Sequence, residues 1–395
     1  MEAVHVPQRR ELHEDHAWQP LVSDRAAESK STESSVARAD YRASGNLSPI
    51  LSGLGISILA TTYQAGKLLT LGSDASGLTV GFNHFDRAMG LALGDGHFAV
   101  GTRSQVWFLE IAPDLAPQLE PTGRHDACFL TRSSLVTGEI HGHEMSFCGD
   151  ELWMVNTRFS CLCTLSPRYS FVPRWQPSFI SELAAEDRCH LNGLACENGY
   201  PRYVTAFSQT DTAGGWRPSK STSGCLIDVL QNQVIVRGLC MPHSPRIHDG
   251  ELYVLDSGNG RLCQVDRSTG QCIVITQLAG FTRGLSFFGP YAFVGLSRIR
   301  ETAIFGDLPL QEQPDALLCG VAVIELASGE LVGHFTFDSG VTEIFSVEVM
   351  PNFRCPYTVG PHRSTDEGPP IWYVPRPQDS ADGKKFPCDN LSDNP

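Results

Sequence analysis

His243-Ser-Pro-Arg-Ile-His-Asp-Gly-Glu-Leu-Tyr-Val-Leu-Asp-Ser-Gly-Asn-Gly-Arg-Leu-Cys-Gln-Val-Asp-Arg-Ser-Thr-Gly-Gln-Cys-Ile-Val-Ile-Thr-Gln-Leu278 reads as four short strands joined by three tight turns. His243–His248 forms the first strand, and Asp249-Gly-Glu turns the chain into Leu252–Asp256. Gly258-Asn-Gly leads to Arg261–Asp266, and Arg267-Ser-Thr-Gly leads to Cys272–Leu278. Asp-Gly and Asn-Gly supply the positive φ that tight hairpins demand, and the runs between them are apolar and β-branched. A four-stranded antiparallel unit of this kind is one blade of a β-propeller.

The opening of this unit recurs. A polar residue, a short apolar run, a turn and a second apolar run return from Arg87, His143, His190 and Arg283. The spacing of ~40–55 residues marks an array of supersecondary units. Further runs, such as Ile56–Tyr63, Gly66–Leu71, Gln105–Ile111, Gly224–Val229, Gln233–Leu239 and Gly320–Leu326, are short and bounded by Gly, Asp, Asn and Pro. Inner strands starting near 87, 143, 190, 243, 283 and 343 predict a six-bladed propeller, with seven blades as the alternative. The strands at 56–82 precede the first inner strand, so they complete the last blade and close the ring, which removes exposed sheet edges. A pair of β-sandwiches also yields many short strands, but leaves the recurrence of like residues at like positions without a cause. One or two helical turns are expected near Phe179–Asp187.

Composition frames the function. The chain has 395 residues, a formal net charge of −14 and only 19% charged residues. That balance disfavours nucleic acid and anionic membrane surfaces, which attract Lys/Arg clusters. No apolar run approaches the ~18 residues of a membrane-spanning helix, and the first residues hold no secretory signal. A cytoplasmic location is expected. Residues 1–48 read as a polar arm, 49–375 as the propeller and 376–395 as a loose tail. The 13 cysteines are scattered. Cys148, Cys196, Cys225, Cys240, Cys263, Cys272 and Cys319 mostly fall in apolar runs, where they read as small hydrophobic residues of a reducing compartment. Cys161-Leu-Cys163 lacks the two-residue spacing of zinc knuckles.

Equivalent positions of a closed array meet around its axis. His143, His243 and Arg283 fall at one repeat position, and His190 and Arg87 within about one residue of it. His143, His190 and His243, with His141 as a fourth, are the candidate ligands of a transition-metal ion (iron, copper, zinc or manganese), since imidazole suits all of these. The opposing reading is that each histidine caps its own blade. His143-Glu-Met-Ser-Phe lacks the second histidine of a zincin helix and stands in a strand context. Arg87 and Arg283 are candidates to bind a carboxylate, phosphate or sulfate, with Asn192 and Arg246 beside them. Glu343 and Glu144 are candidate general bases, or neutralise the arginines; Glu348 lies nearby. Trp216, in Gly214-Gly-Trp-Arg-Pro, reads as an exposed loop aromatic that could overhang the axis. No nucleophile elbow or nucleotide fingerprint is present.

The phrases Ile140-His-Gly-His-Glu-Met, Cys189-His-Leu-Asn-Gly-Leu, Met241-Pro-His-Ser-Pro-Arg and Gly280-Phe-Thr-Arg-Gly-Leu, with Thr61-Thr-Tyr-Gln-Ala-Gly-Lys upstream, resemble a bacterial family of conserved hypothetical proteins. Its members carry a propeller-like domain of unknown function, sometimes beside tetratricopeptide repeats. The resemblance spans roughly residues 50–375 and implies the fold but no activity. Histidines on a propeller axis are also similar in architecture to carotenoid-cleaving oxygenases, whose motifs this chain lacks. The expectation is therefore a metalloenzyme acting on a small anionic substrate, by oxidation first and by hydrolysis or lyase chemistry second. Two alternatives stand beside it: a non-catalytic propeller binding a peptide or protein partner, and a metal-free enzyme using Glu343 or a histidine as base.

Overall fold

The computed structural model describes residues 39–299, 308–312, 314–362, 366 and 371–374. It is an all-β, six-bladed propeller. Blade 1 runs from its inner strand Leu91–Leu93 through His97–Gly101 and Gln105–Ile111 to Ala127–Val136. Blade 2 comprises Gly142–Cys148, Glu151–Asn156, Cys161–Thr164 and Val172–Trp175, and blade 3 comprises Leu191–Glu197, Tyr200–Ala206, Gly224–Asp228 and Gln233–Leu239. Blade 4 comprises His243–His248, Glu251–Asp256, Arg261–Val265 and Cys272–Gln277, and blade 5 comprises Phe281–Phe288, Tyr291–Ser297, Gly320–Glu325 and Leu331–Phe337. In blade 4 the strands follow the Asp-Gly and Asn-Gly turns as the sequence requires. Each inner strand packs against the inner strands on either side.

Blade 6 closes the ring from two distant parts of the chain. Its inner strand, Ser346–Pro351, pairs antiparallel with Ile56–Thr62, which continues into Lys67–Asp74 and Gly77–His84. The seam is apolar. Ile56, Ile58, Ala60, Leu69, Leu71, Val347 and Val349 are buried in one cluster with Phe293, Phe335 and Phe337 of blade 5. The eight-residue helix Leu47–Leu54 adds Leu47 and Leu51 to this cluster and ends on Gly55 in the left-handed conformation.

Two straps flank the closed blade. Tyr41–Ala43 pairs antiparallel with the outer strand of blade 5, and Pro356–Val359 runs parallel to the outer strand of blade 1. The first strap lies inside the stretch read from sequence as a polar arm, so regular structure begins before residue 49. Residues 1–38 of that arm and the tail at 376–395 lie outside the described residues. No helix expected near Phe179–Asp187 is present; that stretch is turns and bends. Two of its acidic residues instead bond Arg188, Glu182 at 2.6 Å and Glu186 at 2.8 Å, and Asp211 from a later loop joins them at 2.9 Å. Cys148 and Cys196 correct the reading of both as plain apolar side chains. They end the inner strands of neighbouring blades, their Cα atoms 5.8 Å apart, and are disulfide-bonded. Cys161 and Cys163 are free and buried between blades. No described helix is long and apolar enough to cross a membrane.

Neighbouring inner strands come closest where a glycine of one faces backbone of the next. A Cβ at Gly284 would stand 2.6 Å from the Val347 nitrogen and 3.0 Å from Ser346 Cα, and the backbone there has φ +81°. Steric conflict and the left-handed backbone act together at this position. Gly284→Ala is expected to lower the unfolding free energy by about 1–3 kcal/mol, measured by urea denaturation; an unchanged midpoint would mean that blades 5 and 6 are not held this closely.

Candidate active site at the axial mouth

The chain enters each inner strand from the same end of the ring, and the side chains at that entrance form the axial mouth. The strand pairings and glycine contacts place His143, His243, Arg283 and Phe345 at one level, with Asn192 and Met89. His190 and Arg87 stand two residues earlier, level with His141, Met241 and Glu343, rather than within one residue as the turn alignment suggested. The αL backbone of Arg87, His141, His190 and Met241, with φ between 49° and 53°, marks that earlier level in four blades.

Hydroxyl groups at the ends of second strands fasten one blade to the next around the mouth. Thr61 donates to the Met89 carbonyl, Thr157 to Leu191 O at 2.5 Å, and Ser297 to Ile344 O at 3.0 Å. The same network orients the histidines. Nδ1 of His143 lies 3.1 Å from the His141 carbonyl and 2.8 Å from Thr157 Oγ1. Nδ1 of His243 lies 3.0 Å from both the Met241 carbonyl and Ser257 Oγ. Nδ1 of His190 lies 2.9 Å from Asp187, whose carboxylate also accepts from Trp216 Nε1 at 3.1 Å. A carbonyl or carboxylate oxygen can only accept, so each of these Nδ1 atoms carries a proton and each Nε2 faces away from this network.

The rings form a nearly continuous collar. Tyr63 touches Phe345, with centroids 5.7 Å apart, and Phe345 touches His143 at 5.3 Å. His143 meets His190 edge-on at 4.9 Å, and His190 stacks on Phe207 at 4.3 Å. Phe207 meets His243 at 5.3 Å, and His243 meets Phe281 at 5.5 Å. Trp216 is buried against His190 and Phe207, which corrects its reading as an exposed loop aromatic: the Asp187 bond draws its indole inward.

One cation is set into this collar. The Arg283 guanidinium lies over the Phe345 ring at 3.3 Å and donates through Nη1 to Glu343 at 3.2 Å. Its Nη2 is buried with no hydrogen-bond partner among the described residues. Burial pushes Arg283 down to about 10, against the pull of Glu343 and Glu144, so it remains charged at neutral pH. Burial likewise holds His143 and His243 well below the usual imidazole range, and repulsion from Arg283 and His190 adds to it.

The other sequence candidates spread over the rim and a deeper layer. Arg87 is exposed and bonds the Tyr63 hydroxyl at 3.2 Å. The His141 ring is exposed at the rim, and its carbonyl serves His143. Asn192 is buried, accepting from Thr205 at 2.6 Å and donating to the His190 carbonyl at 3.2 Å. Glu144 and Arg246 lie below the collar, where Arg246 pairs with both Glu144 and Glu348. Among the described residues, no three of the His, Cys, Asp and Glu side chains are grouped to hold a metal ion. Sequence reading missed Asp187, Phe207, Phe281 and Phe345. Asp187 carried one available signal, its place three residues before His190.

The family model for a domain of unknown function, DUF4915, matches residues 45–359. The chain belongs to this family. The match spans the helix, all six blades and the parallel strap, so the mouth is built wholly from the family domain. No curated protein matches. Among solved structures, a chain from a nidogen–laminin complex is similar over 75% of this protein and 99% of its own length, with 8% identity and a TM-score of 0.49. A protein of unknown function from Bacteroides caccae is similar over 75% and 98%, with 9% identity and a TM-score of 0.48.

The depressed histidines give this family member a pH signature. An imidazole held below its unfolded value of about 6.5 binds fewer protons in the folded than in the unfolded state. Its contribution to stability is full above that value and is lost as pH falls through it. The unfolding free energy of the wild type relative to a His243→Gln variant should therefore decline as pH drops from about 7.5 to about 5. A difference that stays constant across this range would show that His243 protonates as freely when folded as when unfolded.

Proposed function

We propose that the axial mouth binds a small anionic substrate on Arg283 and acts on it through imidazole bases. The observation that carries this reading is a buried guanidinium with one unpartnered nitrogen, placed among three histidines whose Nδ1–H groups are already engaged. An oxyanion on Nη2 would complete the hydrogen bonding of Arg283, and a charge-assisted bond of this kind is the strong sort. His190 is the favoured proton acceptor, because the Asp187 carboxylate fixes its tautomer and stabilises the imidazolium it would become. Glu343 holds the other arm of the guanidinium, which sets the direction that Nη2 faces. Arg87, on the rim, would draw anions toward the mouth.

A second reading is supported by the tethered Nδ1 atoms. Metal-bound histidines characteristically donate their second ring nitrogen to a carbonyl or carboxylate, as His143, His190 and His243 do here. These residues would then hold one transition-metal ion after rotation of a ring, with His141 as a fourth ligand. The ion would supply oxidation chemistry first, or hydrolysis and lyase chemistry second.

Calorimetric titration at neutral pH with small carboxylates, sulfate and phosphate tests the first reading. At least one of these anions is expected to bind, and Arg283→Met should weaken it about ten- to a hundredfold. If none binds, or the variant binds equally well, the mouth is not an anion site. Turnover of a bound carboxylate would then separate an enzyme from a binding propeller. Plasma mass spectrometry on wild type and on a folded His143→Ala/His243→Ala variant decides the second reading: near-stoichiometric metal lost in the variant supports it, and no metal in either after repletion removes it.

A further inference from the structure

Below the collar, the even-numbered blades each project one ionisable side chain toward the axis: Glu144 from blade 2, Arg246 from blade 4 and Glu348 from blade 6. Their side chains are only 7–17% exposed. Arg246 bridges the two carboxylates, paired with Glu144 and lying 3.2 Å from Glu348. It also donates to the Leu194 carbonyl at 3.1 Å. This layer holds one positive charge between two negative ones. Two ionised carboxylates on a single guanidinium repel each other, and in a buried layer the surplus charge is costly. Uptake of one proton removes the surplus.

The hydrogen bonds decide where the proton resides. Glu144 accepts a backbone N–H from Leu194 at 3.0 Å as well as the guanidinium, and both partners favour its ionised form. Glu348 has the longer guanidinium contact and Ser286, whose hydroxyl lies 3.2 Å from its carboxyl. The Ser286 oxygen also accepts from Val349 N at 3.1 Å. A hydroxyl can donate to a carboxylate or accept from a carboxylic acid, so only the Glu348 site accommodates the proton without losing a bond. Among the described residues, the charged groups acting on Glu348 are Arg246 and Glu144, and burial with the Glu144 repulsion outweighs Arg246 to raise it to about 7. Burial raises Glu144 as well, against Arg246 and, more weakly, Arg283 above.

We propose that this layer is a proton-binding site, in which Glu348, held between Arg246 and Ser286, takes up and releases one proton near neutral pH. The proton comes from solvent. With that proton bound, the layer holds one carboxylate against one guanidinium and is neutral.

The test needs no ligand. Carboxyl-carbon NMR of the full chain, labelled at glutamate, should show one glutamate titrating near neutral pH, about 2–3 units above the ordinary value. That signal should vanish in Glu348→Gln. It should move down toward the ordinary range in Glu144→Gln, where a neutral amide replaces the competing carboxylate. A wild type whose glutamates all titrate in the ordinary range overturns the proton site, whatever the variants do. A neutral-range signal that persists in Glu348→Gln overturns the assignment of the proton to Glu348. Neither outcome depends on whether an anion binds, so failure of the anion titration leaves this result readable.

Discussion

The antiparallel pairing of Ser346–Pro351 with Ile56–Thr62 is the contact on which the rest of the structure depends. Without it, the five blades assembled from contiguous sequence would form an open arc with bare edges. With it, Phe345 is brought to the level of His143 and Arg283, and Glu348 to the level of Glu144 and Arg246. Both the collar and the layer beneath it thus draw on a strand that reaches its blade from far along the chain. The seam is held by buried aliphatic side chains, whose removal from water contributes about 25 cal/mol per Å². Polar stitches such as Thr61 to the Met89 carbonyl set its register at the mouth.

Around the axis the governing constraint is electrostatic. A buried guanidinium is tolerated where it lies on an aromatic face and meets a carboxylate, and Arg283 has both in Phe345 and Glu343. Burial, reinforced by repulsion from this charge, holds His143 and His243 well below the usual imidazole range. One level deeper the balance reverses, with two carboxylates about one guanidinium. Opposite charge excesses are thus stacked along one axis.

The blade pattern was legible because turn chemistry is local: Asp249-Gly and Gly258-Asn-Gly announce their hairpins, and period-two apolar runs fill the strands between them. Recurrence of His143, His243 and Arg283 placed them on the axis for the same reason. Other features depend on contacts remote in sequence. The acidic stretch before Arg188 carries residues that suit a helix, yet three carboxylates bond one buried arginine, and that tertiary contact outweighs local propensity. Trp216 lies in a glycine-rich loop that reads as exposed, and only its bond to Asp187 turns it inward. Cys148 and Cys196 look like core residues in their own strands, and their bond follows from how neighbouring inner strands end side by side. The Glu144–Arg246–Glu348 layer joins three blades, and no local pattern announces it.

The closing strand also sets a timetable. Ile56–Thr62 is synthesised early, and its partner at 346–351 follows only after five blades have been made. At about 5–20 residues per second, translation leaves that apolar strand waiting roughly 15–60 s for its neighbour. During that interval the propeller is an unclosed ring carrying one exposed edge on the nascent chain, the kind of surface that chaperones shield and that another chain could capture. In the cell, the period of greatest vulnerability for this fold is therefore fixed by the ribosome rather than by the stability of the finished ring.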